Sequence, residues 1–268
     1  MEVHQPAHHH PPDSTRINWK QYLIEFLMLF LAITASFFVG NLRDRYGERQ
    51  REMQFIKSLV EDLKRDTAQV REYIEINSQI GRYCDSLQLE ILNHDVFRNS
   101  NLLYDYSREV VKYVRYYPTD RTMEQLKRAG NMRLIRNWDI SNLITEYDSW
   151  TRYLAQADLQ LREENIRYRN LLVKFLDGSS YDRLNQFGSF MKGNLRTQGN
   201  PGFIVRDEMK LKELYNEAFA LKILISTCND ESTVVLKEAE NLLSALQKEY
   251  RINEQREFDR GERPLRIT

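Results

Sequence analysis

The sequence predicts an all-α protein: an N-terminal transmembrane helix that continues into an antiparallel bundle of three long heptad-patterned helices, with two short helices between the first and second. Three observations predict it. The 268 residues contain only 10 Gly and 6 Pro, too few for the frequent tight turns of sandwiches, barrels and doubly wound sheets. Tyr22 to Gly40 forms an apolar run whose one charge is Glu25, long enough at 1.5 Å per residue to cross the roughly 30 Å hydrocarbon core of a bilayer. Three later stretches repeat apolar residues at alternating spacings of four and three, the signature of helices that bury one stripe against one another.

Composition narrows the function classes. Lys plus Arg and Asp plus Glu number 39 each, with 41% apolar residues, so the chain has the makings of a packed core and lacks the net positive charge that nucleic-acid binding requires. Two cysteines cannot frame a disulfide scaffold.

Residues 1–18 carry His4, His8, His9, His10, Pro6, Pro11 and Pro12, a composition with nothing to pack and expected to be disordered. Four histidines can bind Zn, Ni or Cu, but the tract lacks a fixed ligand geometry, and a solvated tail is the plainer reading. The span follows at residues 19–42, with Trp19, Lys20 and Tyr22 on one side and Arg43 and Arg45 on the other as interfacial anchors. Its end, Phe37-Phe38-Val39-Gly40, carries no small-residue cleavage pattern, which argues against a removed signal peptide. Ala32, Ser36 and Gly40 recur at four-residue spacing, with Glu25 within about 20° of the same face. This is the candidate transmembrane association face, Glu25 either pairing across it or reaching to the interface. Arg16 and Lys20 before the span against Arg43, Arg45, Arg49, Arg51 and Lys57 after it favour a cytoplasmic bundle.

The bundle is assigned to residues 43–257. Nine of the eleven seam positions Ile56, Leu59, Leu63, Asp66, Val70, Tyr73, Asn77, Ile80, Cys84, Leu87 and Ile91 are apolar, and no Pro interrupts Arg43 to Asn93. The span is therefore expected to run on unbroken, with Gly47 and Gly81 as its weak points. A short Tyr-rich helix, Leu102 to Tyr117, is expected to stop at Pro118; its tyrosines 104, 106, 113, 116 and 117 read as the edge of a core, rings packed and hydroxyls wet. A second short helix starts near Thr119, with Thr122 and Gln125 spaced as a capping box, and ends at Gly130-Asn131. The second long helix, about 138–176, carries the stripe Leu143, Tyr147, Trp150, Leu154, Ala157, Leu161, Glu164, Tyr168, Leu171 and Phe175 and ends at a left-handed cap on Gly178. The third, about 206–255, carries Leu211, Leu214, Ala218, Leu221, Ile225, Cys228, Ser232, Val235, Ala239, Leu242 and Leu246. Cys84 and Cys228 both fall on seams, which predicts buried thiols. Residues 258–268 read as a flexible tail.

One loop stands apart. Residues 177–205 hold five of the ten glycines together with Arg183, Phe187, Phe190, Lys192 and Arg196, aromatic and cationic content suited to a partner, lipid headgroups or an anion. The alternative is a flexible connector.

Two blocks carry a resemblance. Lys20-Gln21-Tyr22-Leu23-Ile24-Glu25-Phe26, then Gly40-Asn41-Leu42-Arg43-Asp44, then Phe55-Ile56-x-x-Leu59-x-x-Asp62-Leu63-x-x-Asp66, form the first. Thr122-Met123-Glu124-Gln125-Leu126-Lys127-Arg128-Ala129-Gly130-Asn131-Met132-Arg133-Leu134-Ile135 forms the second. Together they resemble a family of uncharacterised single-span bacterial membrane proteins with a helical soluble domain. The resemblance covers about a third of the chain and implies a place in the bacterial inner membrane, with no chemistry attached.

Catalytic signatures are missing from the sequence. It contains no H-E-x-x-H, C-x-x-C, G-x-S-x-G or G-x-G-x-x-G. Gly188 and Gly193 have P-loop spacing, but Asn194 stands where the phosphate-binding Lys is needed. The sequence therefore predicts a membrane-anchored interaction or scaffold protein that is not an enzyme and uses no cofactor. Its expected partners are the lipid bilayer and a second copy or another membrane protein. The alternatives are an accessory subunit of a transport or channel complex and, behind it, a membrane-tethered enzyme, which clustered buried carboxylates with strongly perturbed pKa values would favour.

Overall fold

The computed structural model describes residues 19–180, 197 and 199–252. These form five α-helices, α1 (Trp19–Asn93), α2 (Asn101–Val110), α3 (Arg121–Lys127), α4 (Trp138–Phe175) and α5 (Glu208–Tyr250), with a 3₁₀ helix at Arg128–Leu134 directly after α3. The described residues contain no strand, only an isolated antiparallel bridge between Leu176 and Phe203. The chain divides into two compact units, Met1–Arg51 and Glu52–Thr268.

In the first unit α1 carries no charged residue from Phe26 to Leu42. Neither Gly nor Pro occurs between Trp19 and Val39, and the polar Thr34 turns its hydroxyl back onto the Phe30 carbonyl at 2.7 Å, which satisfies it within the helix. The most apolar 18-residue window is long enough to cross a membrane, and none of it is buried by the rest of the chain. A core helix would be covered.

In the second unit the first seam is buried from Ile56 to Leu87, with Ile91 half-buried at its end. The α5 seam is buried from Leu214 to Leu246. Both join one hydrophobic core with residues of α2, α3 and α4. Side-chain pairs fix the directions. Asp66 meets Tyr147 and Tyr73 meets Asp158, so α1 and α4 run the same way. Arg71 meets Glu240, Ser78 meets Asn229 and Asp85 meets Lys222, so α5 runs against α1. The antiparallel packing expected of the long helices is thus met by α5 against α1, whereas α1 and α4, consecutive among the long helices, run parallel. The physical reason is the length of residues 94–137, about forty residues, which allows the chain to return along the unit before α4 begins. That return is itself pinned in reverse order, Val111 to Asn165 of α4 and then Thr122 to Asp62 of α1. The unit is therefore traversed four times, in alternating directions, and its second pass is α2, an extended stretch, α3 and the 3₁₀ turn.

Several local expectations are corrected too. The Tyr-rich helix stops at Val110 rather than Tyr117. Val110-Val111 and Val114 are β-branched, and Asn165 donates to the Val111 carbonyl at 3.2 Å, taking up an acceptor that helix termination leaves over. Thr122 is not a capping-box residue. Asp120 is the N-cap of α3 and makes no side-chain cap bond; Asp62 of α1 accepts from the Thr122 amide at 3.3 Å and from its hydroxyl, capping α3 from another helix. At the end of α4 the chain leaves extended through Leu176 (φ −94°, ψ 144°), because Leu176 pairs with Phe203, so Gly178 supplies no left-handed cap. Gly130 (φ 67°) is left-handed, but the chain continues through it into the 3₁₀ turn instead of ending there.

Candidate functional site

The α4 seam lies partly one residue away from the stripe expected from apolar spacing. Tyr147, Leu154, Leu161, Tyr168 and Phe175 are buried as expected, but the alternate positions are Ile144, Thr151, Asp158, Asn165 and Leu172. Of the alternates expected instead, only Glu164 is buried. The shift brings a carboxylate into the core. Asp158 is 2% exposed and joins Asp62 and Asp66 of α1, at 2% and 3%.

These three buried carboxylates face the extended stretch of the second pass and the start of α3, and the donors come from there and from the adjoining helices. Asp158 accepts from Tyr73 at 2.9 Å on one oxygen and from Tyr113 at 2.7 Å on the other, and the Tyr116 backbone amide adds a third donor. Tyr73 is also bonded to Cys228 of α5. Asp66 accepts from the Thr119 amide at 2.8 Å and the Tyr147 hydroxyl at 2.6 Å. Asp62 takes Thr122 as described. The extended stretch between α2 and α3 lacks the paired hydrogen bonds of a helix, and the carboxylates are acceptors for its half-buried backbone and side chains.

Burial dominates the electrostatics. It pushes the hydroxyls of Tyr73, Tyr113, Tyr116 and Tyr147 well above the ordinary phenol range, and neighbouring Asp66 and Asp158 charges push in the same direction. Burial also raises the Asp158 carboxyl, against the lowering effect of Tyr113, Tyr73 and the Tyr116 amide. All four phenols stay protonated; Tyr73, Tyr113 and Tyr147 donate to the carboxylates, while the Tyr116 hydroxyl is buried without a partner among the described residues. Cys84 is pushed up to about 12 and Cys228 to about 11, again chiefly by burial; both thiols are free and buried.

Such a cluster holds structure together better than it reaches a substrate. Both oxygens of Asp66 and of Asp158 are engaged from within the chain, whereas, among the described residues, Asp62 Oδ1 is buried without a hydrogen-bond partner and no group of three or more His, Cys, Asp or Glu is placed to hold a metal ion. The tyrosine expectation is corrected in part. Tyr104 is fully buried, with its hydroxyl donating to the Gly202 carbonyl and accepting from the Asp177 amide, whereas Tyr117 is exposed.

The other expected sites fall elsewhere. Glu25, Ala32 and Ser36 are exposed on α1 within the first unit, and Gly40 is half-exposed with nothing within 4 Å of its added Cβ position. Arg183, Phe187, Phe190, Lys192 and Arg196 lie outside the described residues. The C-terminal root of their loop is firmly docked. Asp105 accepts from the amide and hydroxyl of Thr197. Asn200, in a left-handed conformation (φ 51°), accepts from Ser100 and donates to the Arg98 carbonyl. Phe203 packs its ring against Phe97 and Phe175, each with centroids 5.1 Å apart.

Comparison with known proteins adds no name to this arrangement: no protein-family model, curated protein or solved structure gives a significant match to the chain.

Proposed function

We propose that the protein is a membrane-anchored interaction or scaffold protein, held in the bilayer by the N-terminal part of α1 and presenting the second unit as a helical bundle to a second copy or another membrane protein. The observation that carries this reading is the uncovered apolar window of α1. Between Leu23 and Val39 about a dozen large apolar side chains are more than half exposed. At about 1.5–3 kcal/mol for each such side chain withdrawn from water, a bilayer offers on the order of 20 kcal/mol that the chain itself does not supply. The four passes that share one core support a rigid presenting unit. Both oxygens of Asp66 and Asp158 are taken by internal donors, which supports a role without catalysis. The resemblance points to a bacterial inner membrane, and the excess of Arg after the span supports a cytoplasmic second unit.

Fractionation of the expressed full chain tests the anchor. It should stay in the membrane pellet through an alkaline carbonate wash, and a variant lacking residues 19–42 should move to the supernatant; release of the full chain by carbonate would refute the reading. C-terminal reporter fusions test sidedness, with green fluorescent protein expected bright and alkaline phosphatase inactive. Ala32→Ile with Ser36→Ile should weaken self-association in a membrane two-hybrid assay.

A further inference from the structure

The geometry points to one internal water molecule, held where all four passes of the second unit meet, as the hydrogen-bond hub that seats the end of α2. Two independent observations carry it. A narrow cavity of about 10 Å³ lies between Asn77 and Ile80 of α1, Val110 and Tyr113 of the second pass, Asn165 of α4 and Ile225 of α5. That is the volume one water needs. Into this wall comes the side chain of Asn77, 1% exposed, whose amide nitrogen has no hydrogen-bond partner in the protein. A buried amide left so costs about 1–3 kcal/mol, and the remaining seam neighbours here are apolar.

Water is the ligand this chemistry selects. The cavity is too small for an organic molecule, and the positive Lys112 in its lining opposes a cation. Water also brings the right valence. It accepts from Asn77 Nδ2 and has two protons left to donate. The wall supplies acceptors for them: the Asn165 side-chain oxygen, left over when its nitrogen donates to Val111, and the carbonyl of Val110, the last residue of α2, where helix termination leaves carbonyls without helical partners. The water therefore ties α1 to α4 and to the point where the second pass stops being helical, and it explains an Asn on a seam of apolar residues.

Two measurements on the full chain test this. A crystal structure at a resolution that shows ordered waters should contain a peak within hydrogen-bonding distance of Asn77 Nδ2, and unoccupied density there overturns the proposal. Thermal unfolding of Asn77→Leu, similar in volume, gives a second readout. If the water is present, Leu expels it, strands the acceptors of Asn165 and Val110, and lowers Tm. If the amide faces the cavity alone, Leu removes an orphaned donor and raises Tm, which also overturns the proposal.

Discussion

Replacing Asp158 by alanine removes the acceptor shared by three donors from two passes of the second unit, and the structure permits the cost to be worked out donor by donor. The Tyr73 hydroxyl, on a residue 2% exposed, loses its bond to Asp158 but keeps Cys228; about 1–2 kcal/mol is expected. Tyr113 is half-buried and can turn to water, so about 1 kcal/mol is appropriate. The Tyr116 amide is fixed by the backbone and cannot turn, which adds about 1–2 kcal/mol. Against this, the variant no longer buries an ionisable carboxyl, a relief of about 1 kcal/mol or more. The net is a loss of about 3 kcal/mol, or a Tm lower by roughly 6–12 °C for a unit of this size.

Circular dichroism at the helix minimum, on the full chain in detergent micelles, reads this directly. A Tm for Asp158→Ala within 2 °C of the parent would refute the view that the carboxylate anchors the second pass. The pH dependence gives an independent handle on the same group. Burial raises the Asp158 carboxyl above its unfolded value, so its contribution to stability is complete below the unfolded carboxylate pKa and is lost as pH rises through the folded one. The stability advantage of the parent over Asp158→Asn should therefore be largest at acid pH and shrink toward neutrality; an advantage that grows with pH would contradict the assignment.

Gly81 sits in the interior of α1, and a Cβ added there would meet Ile225 Cγ2 at 3.5 Å, an ordinary contact. Gly81→Ala should accordingly stabilise the chain by about 0.5–1 kcal/mol through helix propensity, read as a Tm increase of a few degrees. Gly130→Ala, at φ 67°, should do the opposite by about 1 kcal/mol. With Cys84 pushed up to about 12 and Cys228 to about 11, neither thiol should react with a maleimide in native protein at pH 7.5, and both should react after denaturation in guanidinium chloride.

How much of this was legible in the sequence depends on which force set each feature. Seams governed by apolar burial read correctly. The α1 and α5 stripes are buried where the spacing puts them, and the helix from the span into Asn93 is unbroken, because nothing between Trp19 and Asn93 stops a helix. The α4 seam was misread because the count rewarded apolar residues. Leu143, Trp150, Ala157 and Leu171 scored while Thr151, Asp158 and Asn165, one residue further on, did not. A signal was available in the tyrosines. A Tyr-rich stretch with paired valines and a Pro is a poor helix, and a poor helix inside a core needs acceptors, which predicts buried carboxylates opposite it. Direction was illegible for a different reason. Periodicity says which face is buried but is blind to the path of a forty-residue connection, and that path alone makes α1 and α4 parallel.

The buried carboxylates also tie together two blocks that stand far apart in the sequence. In sequence they are separate, one around Asp62 and Asp66 and the other beginning at Thr122. In the structure Asp62 holds the amide and hydroxyl of Thr122, and Asp66 holds Thr119 just before it. α3 is a seven-residue helix whose own N-cap side chain makes no cap bond, so its start depends on a carboxylate from α1. Each block leans on the other: without the second, Asp62 would be a buried carboxylate without a donor and Asp66 would keep only Tyr147, and without the first, the Thr122 amide at the start of α3 would lose its acceptor. The two blocks thus form one tertiary lock that fixes the second pass against α1, which accounts for those residue types on packing grounds.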